Sequence, residues 1–306
     1  MTPPTGLYGL LAGAAGVSLT QMQEKRMAGD NAKQIEDWNG SVGEHWAAEQ
    51  ENTDRLIAAF GEAALRAAAA QAGERVLDVG CGCGDTALAL ASMVGARGSV
   101  TGLDVSAPML AVARRRAAGI DNVTFIEGDA AKVQLNGPFD LLYSRFGVMF
   151  FDDPVQAFVH MRRAMAPGGR LAFACWQLAK DNPWAMVPVM AARQAAAMDL
   201  PPADPHAPGP FAFGDSGRLT GILEAAGFRD VKTEPFQAPM YLGSSPRSAA
   251  EGATRIGPAS RLAREAGKDK LPAITDAIET ALTPLAAADG SVALPGWIWV
   301  VTAGTP

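Results

Sequence analysis

The sequence predicts an α/β protein built on a doubly wound, seven-stranded, mostly parallel sheet, with a helical N-terminal cap and lid insertions. Three observations predict it. Glu74 to Asp85 reads as a short apolar strand running into a glycine turn, which opens into the Ala/Leu helix TALALASMV. Strands and helices alternate from Ala72 to Trp176. The first three strands end on Gly, Asp and Asp, and in open α/β sheets ligands lie off the carboxyl ends of strands.

Taken in order, the chain divides into an extension at 1–30, a helical cap at 31–71, a core at 72–178, a lid insertion at 179–214 and a C-terminal part of the sheet with a helical insertion at 215–306. Leu7 to Val17 is apolar but has no basic segment before it and is too short to span a bilayer. Met27 is a candidate natural start. In the cap, Trp38 and Trp46 precede an amphipathic run with Leu56, Ile57, Phe60, Ala64 and Leu65 at helical spacing. Beyond the glycine turn come strands SVTGLD, VTFIEG, FDLLYSRFGVMFF and RLAFACW, with helices expected between them. Asn182-Pro183-Trp184 reads as loop structure, and a Pro-rich loop follows with Phe211 and Phe213. Phe228 to Leu242 includes a sixth strand interrupted by Pro235 and Pro239, Ser244 to Ala288 reads as one or two helices, and GWIWVVTA is the last strand.

Charge and cysteine content narrow the function. A net charge of −6 argues against a nucleic-acid surface and favours a small neutral or cationic substrate. Cys81, Cys83 and Cys175 give no disulfide framework and suit a cytoplasmic protein, the C-x-C pair serving as loop filler because zinc would need a second pair. No membrane span is expected, and a homodimer is the candidate assembly.

Spacing separates the nucleotide-binding readings of the glycine turn. G-x-G-x-x-G is absent, because the sixth position from Gly80 is Asp85, and no Gly-Lys-Ser/Thr follows. What remains is Asp78-x-Gly80-x-Gly82-x-Gly84 closing a hydrophobic strand. This resembles motif I of the class I S-adenosylmethionine-dependent methyltransferases, in which the loop wraps the methionine part of the cofactor. The Pro167-Gly168-Gly169 turn before the fifth strand also looks like this class, and like its small-molecule branch of ubiquinone and menaquinone biosynthesis methyltransferases. The resemblance covers Arg75 to Trp176 with specific motifs. It implies a Rossmann-like methyltransferase fold with the last strand antiparallel.

It also implies a cofactor site. Asp78, Gly80, Cys81, Gly82 and Gly84 would form the methionine turn. Asp104, with Val105 and Met109 beside it, would take the ribose hydroxyls, and Asp129 and the Ala130 N–H would meet adenine. Ser144, Arg145 and Phe146 at the end of the fourth strand, with Trp38 and Trp46 of the cap, would complete it. The sulfonium activates the methyl group, so positioning a nucleophile is the protein's main task. If the acceptor arrives protonated, His45 is the first candidate base and Glu44 the second, while Arg145 could orient an acidic acceptor. Trp38, Trp46, Phe146, Met149, Phe150, Trp176, Trp184, Phe211 and Phe213 suggest a planar or apolar acceptor. Two other readings stand beside this one: a protein of the same fold that binds S-adenosylmethionine without methyl transfer, and a nicotinamide dehydrogenase, which the turn spacing disfavours.

Overall fold

The computed structural model describes residues 33–198, 204 and 206–306. The expected extension at 1–30, with its apolar stretch and Met27, lies outside the described residues, as does part of the Pro-rich loop.

Residues 33–39 are helical and lead into α1 (Ser41–Ala48) and α2 (Gln50–Ala68). The strand and helix alternation then holds except between β3 and β4, which a loop joins: β1 (Arg75–Val79), α3 (Asp85–Val94), β2 (Ser99–Asp104), α4 (Ala107–Arg116), β3 (Val123–Glu127), β4 (Phe139–Arg145), α5 (Pro154–Arg163) and β5 (Met165–Trp176). After β5 come α6 (Pro183–Ala196), α7 (Ser216–Ala225), β6 (Arg229–Gly243), α8 (Pro246–Arg255), α9 (Pro258–Ala266), α10 (Leu271–Leu282) and β7 (Val292–Gly304). The seven strands form one sheet in the order β3-β2-β1-β4-β5-β7-β6. The first five run parallel, and β7 is antiparallel to both β5 and β6. Strand order reverses between β1 and β4, which is where a ligand crevice opens in such sheets.

The central parallel strands are buried on both faces, so they read as nearly continuous apolar runs: Val76, Leu77 and Val79 in β1, and Leu141, Leu142 and Tyr143 in β4, are buried. Local signals mark the boundaries of two helices. Asp153 caps α5 by accepting from the Gln156 N–H, Asp215 caps α7 by accepting from Arg218, and Gly227 at φ +87° follows α7. Asp140 accepts a hydrogen bond from the Arg75 N–H at 2.8 Å, at the edge of the sheet away from the crevice.

Three expectations change in the C-terminal half. β6 is one strand of 15 residues running through Pro235 and Pro239. It is the edge strand, so one row of its backbone groups has no partner strand and prolines there break no ladder bond. The segment from Ser244 to Ala288 holds three helices, α8 to α10, which pack with α6 into a second apolar core around Ala250, Leu262, Ile274, Ile278 and Val292. Asn182-Pro183-Trp184 begins helix α6, with Asn182 at its N-cap and proline at the first turn. No helix among the described residues is long and apolar enough to cross a membrane.

Candidate active site

The crevice begins where two strand ends touch. Gly80 after β1 and Gly147 after β4 pack backbone to backbone: a Cβ on Gly80 would lie 2.6 Å from the Gly147 Cα, and Gly80 has φ +68°. Only glycine meets both demands. Ser144 fixes this junction from behind, donating to the Val79 carbonyl at 2.7 Å and accepting from the Gly147 N–H at 3.1 Å. Phe146 takes φ +63°, a region bulky residues avoid, and its ring stacks on Trp176 with centroids 4.4 Å apart and planes 7° apart.

A cavity of about 480 Å³ opens over this junction. One end is walled by Gly80 to Cys83, Asp104, Val105, Met109 and Gly128 to Lys132, and the other by Phe146, Trp176, Trp184, Met240 and Ile256 to Pro258. The cap closes it with Trp38 and Trp46, whose rings meet edge to face at 5.6 Å, while Phe150 meets Trp38 at 5.8 Å. The cap is tied to the loop after β2. Asn39 donates to the Val105 carbonyl at 2.8 Å and accepts from the Ala107 N–H at 3.0 Å, and Ser106 donates to the Trp38 carbonyl at 2.7 Å.

Asp104 is held before any ligand arrives: one oxygen accepts from the Gly82 N–H at 2.8 Å, the other from the Ser106 N–H at 2.9 Å. Burial pushes its carboxyl above the ordinary range, and the hydrogen bonds from Ser106 and Gly82 pull the other way. Asp104 lines the cavity, and a carboxylate's four or so acceptor positions leave capacity for a ligand donor. Asp129 accepts from the Ala131 N–H at 2.9 Å and pairs with Lys132 at 3.3 Å.

Several expected site residues stand elsewhere. Asp78, Gly84 and Ser144 lie behind the wall rather than on it, and Asp78 is fully buried beneath the turn, accepting from the Thr86 hydroxyl at 2.7 Å. His45 and Glu44 do not line the cavity; Glu44 is exposed, and the His45 Nε2 is buried with no hydrogen-bond partner. The reason is helical phase. Trp46, Gln50, Thr53, Asp54 and Ile57 line the cavity at near-helical spacing, and each step along a helix turns about 100°, which carries residues 44 and 45 off that face. Phe213 is buried in the core beside Phe158 and Phe173, and Phe211 packs on Trp184, so neither lines the cavity.

Arg145 lines the cavity but is already paired. Its guanidinium meets Asp85 at 2.8 Å and Asp54 at 3.2 Å, and Asp54 also meets Arg116 at 3.1 Å. Two carboxylates share its charge, so the contacts it makes here tie β4 to α2 and to the start of α3. Asp54, Gln50, Met240 and the turn Ile256 to Pro258 are lining residues that the sequence reading missed. The helical face gave a usable signal for Gln50 and Asp54, whereas the other segments lack a local one.

Burial also raises the thiol of Cys81 well above its ordinary range and that of Cys83 to about 11, so neither is a nucleophile at neutral pH. Among the described residues no cluster of metal-ligating side chains occurs.

Burial pushes the Asp78 carboxyl from 3.8 to about 7, against the hydrogen bond from Thr86 and the charge of Arg145. A raised carboxyl in the folded state favours the protonated form. Its stabilising contribution is complete below the unfolded value and is lost as pH climbs through about 7. Urea unfolding of the ligand-free protein from pH 4 to 8 should show stability falling relative to Asp78→Asn across this window. A pH-independent difference between the two would contradict this assignment.

Residues 76–169 match a family model described as a methyltransferase domain. The core is that of a class I S-adenosylmethionine-dependent methyltransferase. A demethylmenaquinone methyltransferase of Staphylococcus epidermidis is 29% identical over 197 residues, which is 60% of this chain and 80% of that relative. One from Staphylococcus aureus is 39% identical over 98 residues, covering 32% of this chain and 41% of its own length. Solved structures share the fold: the YcgJ protein of Bacillus subtilis at TM-score 0.54 and 17% identity, covering 82% of this chain and 98% of its own. Phosphoethanolamine N-methyltransferase 2 of Haemonchus contortus aligns at 0.52 and 19%, covering 87% of this chain and 58% of its own. The methyltransferase match ends before α6, β6 and the turn at 256–258, so much of the far wall of the cavity lies outside it.

Proposed function

We propose that this methyltransferase moves the methyl group of S-adenosylmethionine to a small, flat, largely apolar acceptor by in-line displacement. The observation that carries the reading is the part of the cavity lining away from the glycine turn, where Phe146, Trp176, Trp184, Met240 and Ile256 make an apolar, mostly aromatic wall. The charges agree with a neutral acceptor: among the described lining residues the Arg and Lys side chains are Arg145 and Lys132, and each stands beside a carboxylate. The relatives named demethylmenaquinone methyltransferase support a quinol-like ring as the first acceptor to try.

The residues present fit the cofactor. The Gly80–Gly82 turn leaves a backbone cradle at the switch in strand order. Asp104, held by two N–H groups, would take the ribose hydroxyls, and Asp129 with the Ala130 N–H would take the adenine edge. When bound, S-adenosylmethionine supplies a methyl group already activated on a sulfonium. The chain's own part is to orient the acceptor ring against Phe146 and Trp176 and to exclude water with the docked cap. Orientation of that kind can supply about 7–11 kcal/mol of barrier reduction.

The test is release of S-adenosylhomocysteine when phenols, quinols, amines and thiols are offered in turn. Turnover of a flat hydroxylated ring above the others is the expected result. Tight cofactor binding with no release on any member would favour the alternative, a protein of this fold that binds without transferring.

A further inference from the structure

We propose that Asp54, on cap helix α2 and outside the matched methyltransferase domain, is the seat of the cofactor's α-ammonium group. This rests on the cofactor reading above and adds a residue to it.

The glycine turn has three carboxylates near its methionine end: Asp78, Asp85 and Asp54. Asp78 is fully buried behind the turn and does not line the cavity. Asp85, at the start of α3, accepts from Arg116 and Arg145 and does not line it either. Asp54 does line it. Its Oδ2 accepts from Arg116 at 3.1 Å and from the Gln50 amide, while its Oδ1 accepts one bond, from Arg145 at 3.2 Å. A carboxylate has about four acceptor positions, so three are filled and the remaining one belongs to Oδ1. Arg116 also donates to the Cys83 carbonyl at 2.9 Å, so a single guanidinium bridges Asp54 to the glycine turn. The carboxylate is thus fixed beside the segment that would wrap the amino-acid part of the ligand, with capacity left for one cationic donor.

The pair of arginines explains how a negative charge is kept at this depth. The side chains of Asp54 and Arg145 are 18% and 10% exposed, and a carboxylate so placed needs partners. Arg145 and Arg116 hold it without filling it. An ammonium then completes the set with a charge-assisted bond. Because Asp54 comes from the cap while Cys83 comes from the turn, the same contact couples ligand binding to cap docking.

The experiment is calorimetric titration of the full chain and of Asp54→Asn with S-adenosylhomocysteine, its deaminated analogue and 5′-methylthioadenosine, which lacks the whole amino-acid part. Asp54→Asn should weaken S-adenosylhomocysteine by roughly 10- to 100-fold. The deaminated analogue and 5′-methylthioadenosine should change by less than about threefold, which also reports that the variant's adenosyl site is intact. Equal losses for all three ligands, or an unchanged affinity for S-adenosylhomocysteine, would overturn the assignment. A parent protein that holds none of the three would instead sink the cofactor reading, and this inference with it.

Discussion

Asp104→Ala should weaken S-adenosylmethionine binding by roughly 10²- to 10⁴-fold, the largest effect expected of any single change in the cavity. The estimate comes from two hydrogen bonds between a carboxylate and the ribose hydroxyls at about 1.5–3 kcal/mol each. The structure adds a second cause. The same carboxylate accepts from the Gly82 N–H and from the Ser106 N–H, so alanine also releases the glycine turn and the loop on which the cap docks through Ser106 and Trp38. Asp104→Asn separates the two causes. An amide has one acceptor oxygen, so it can meet only one of the two backbone donors and should fall between parent and alanine. Calorimetry of all three proteins with S-adenosylhomocysteine is the measurement. An alanine variant that binds as tightly as its parent removes Asp104 from the site and leaves the turn-to-carboxylate geometry without a ligand.

The parts of this protein that were legible in its sequence are those written in local patterns. β1 and β4 were readable because strands buried on both faces are mostly apolar, and the turn was readable because Gly80 must pack on Gly147. Asp104 followed from its place at the end of β2. The place of Asp54 on the cavity side of α2 was legible from helical spacing, but its ion pairs were not, since Arg116 and Arg145 lie 62 and 91 positions away. His45 looked like a base because imidazole chemistry is conspicuous in a sequence, whereas the phase of a helix is fixed by which residue docks, here Trp46. β6 was obscured by Pro235 and Pro239, whose harmlessness depends on the strand being at an edge. The wall at 256–258 was hidden for a different reason. It joins α8 to α9, two helices of a second apolar core that meet only in three dimensions.

Asn182→Ala should lower stability by about 3–5 kcal/mol, and the reason decides how the sequence Asp181-Asn182-Pro183-Trp184 is to be understood. Asn182 is fully buried. Its Nδ2 donates to the carbonyls of Leu178 and Trp297, each at 3.2 Å, and more weakly to Gln177 at 3.4 Å. Its Oδ1 accepts from the Trp297 N–H at 2.8 Å and from the Trp184 indole at 2.9 Å. One side chain therefore joins the end of β5, the start of α6 and the middle of β7. Alanine strands a backbone N–H and an indole N–H in the interior, where each orphaned group costs about 1–3 kcal/mol. Trp184 and Trp176 wall the far end of the cavity, so loosening them should also raise the KM for the acceptor while S-adenosylhomocysteine affinity holds. If the tetrapeptide were instead catalytic, alanine would abolish turnover at unchanged stability. Urea unfolding with an unchanged m-value, set beside steady-state kinetics, distinguishes the two outcomes.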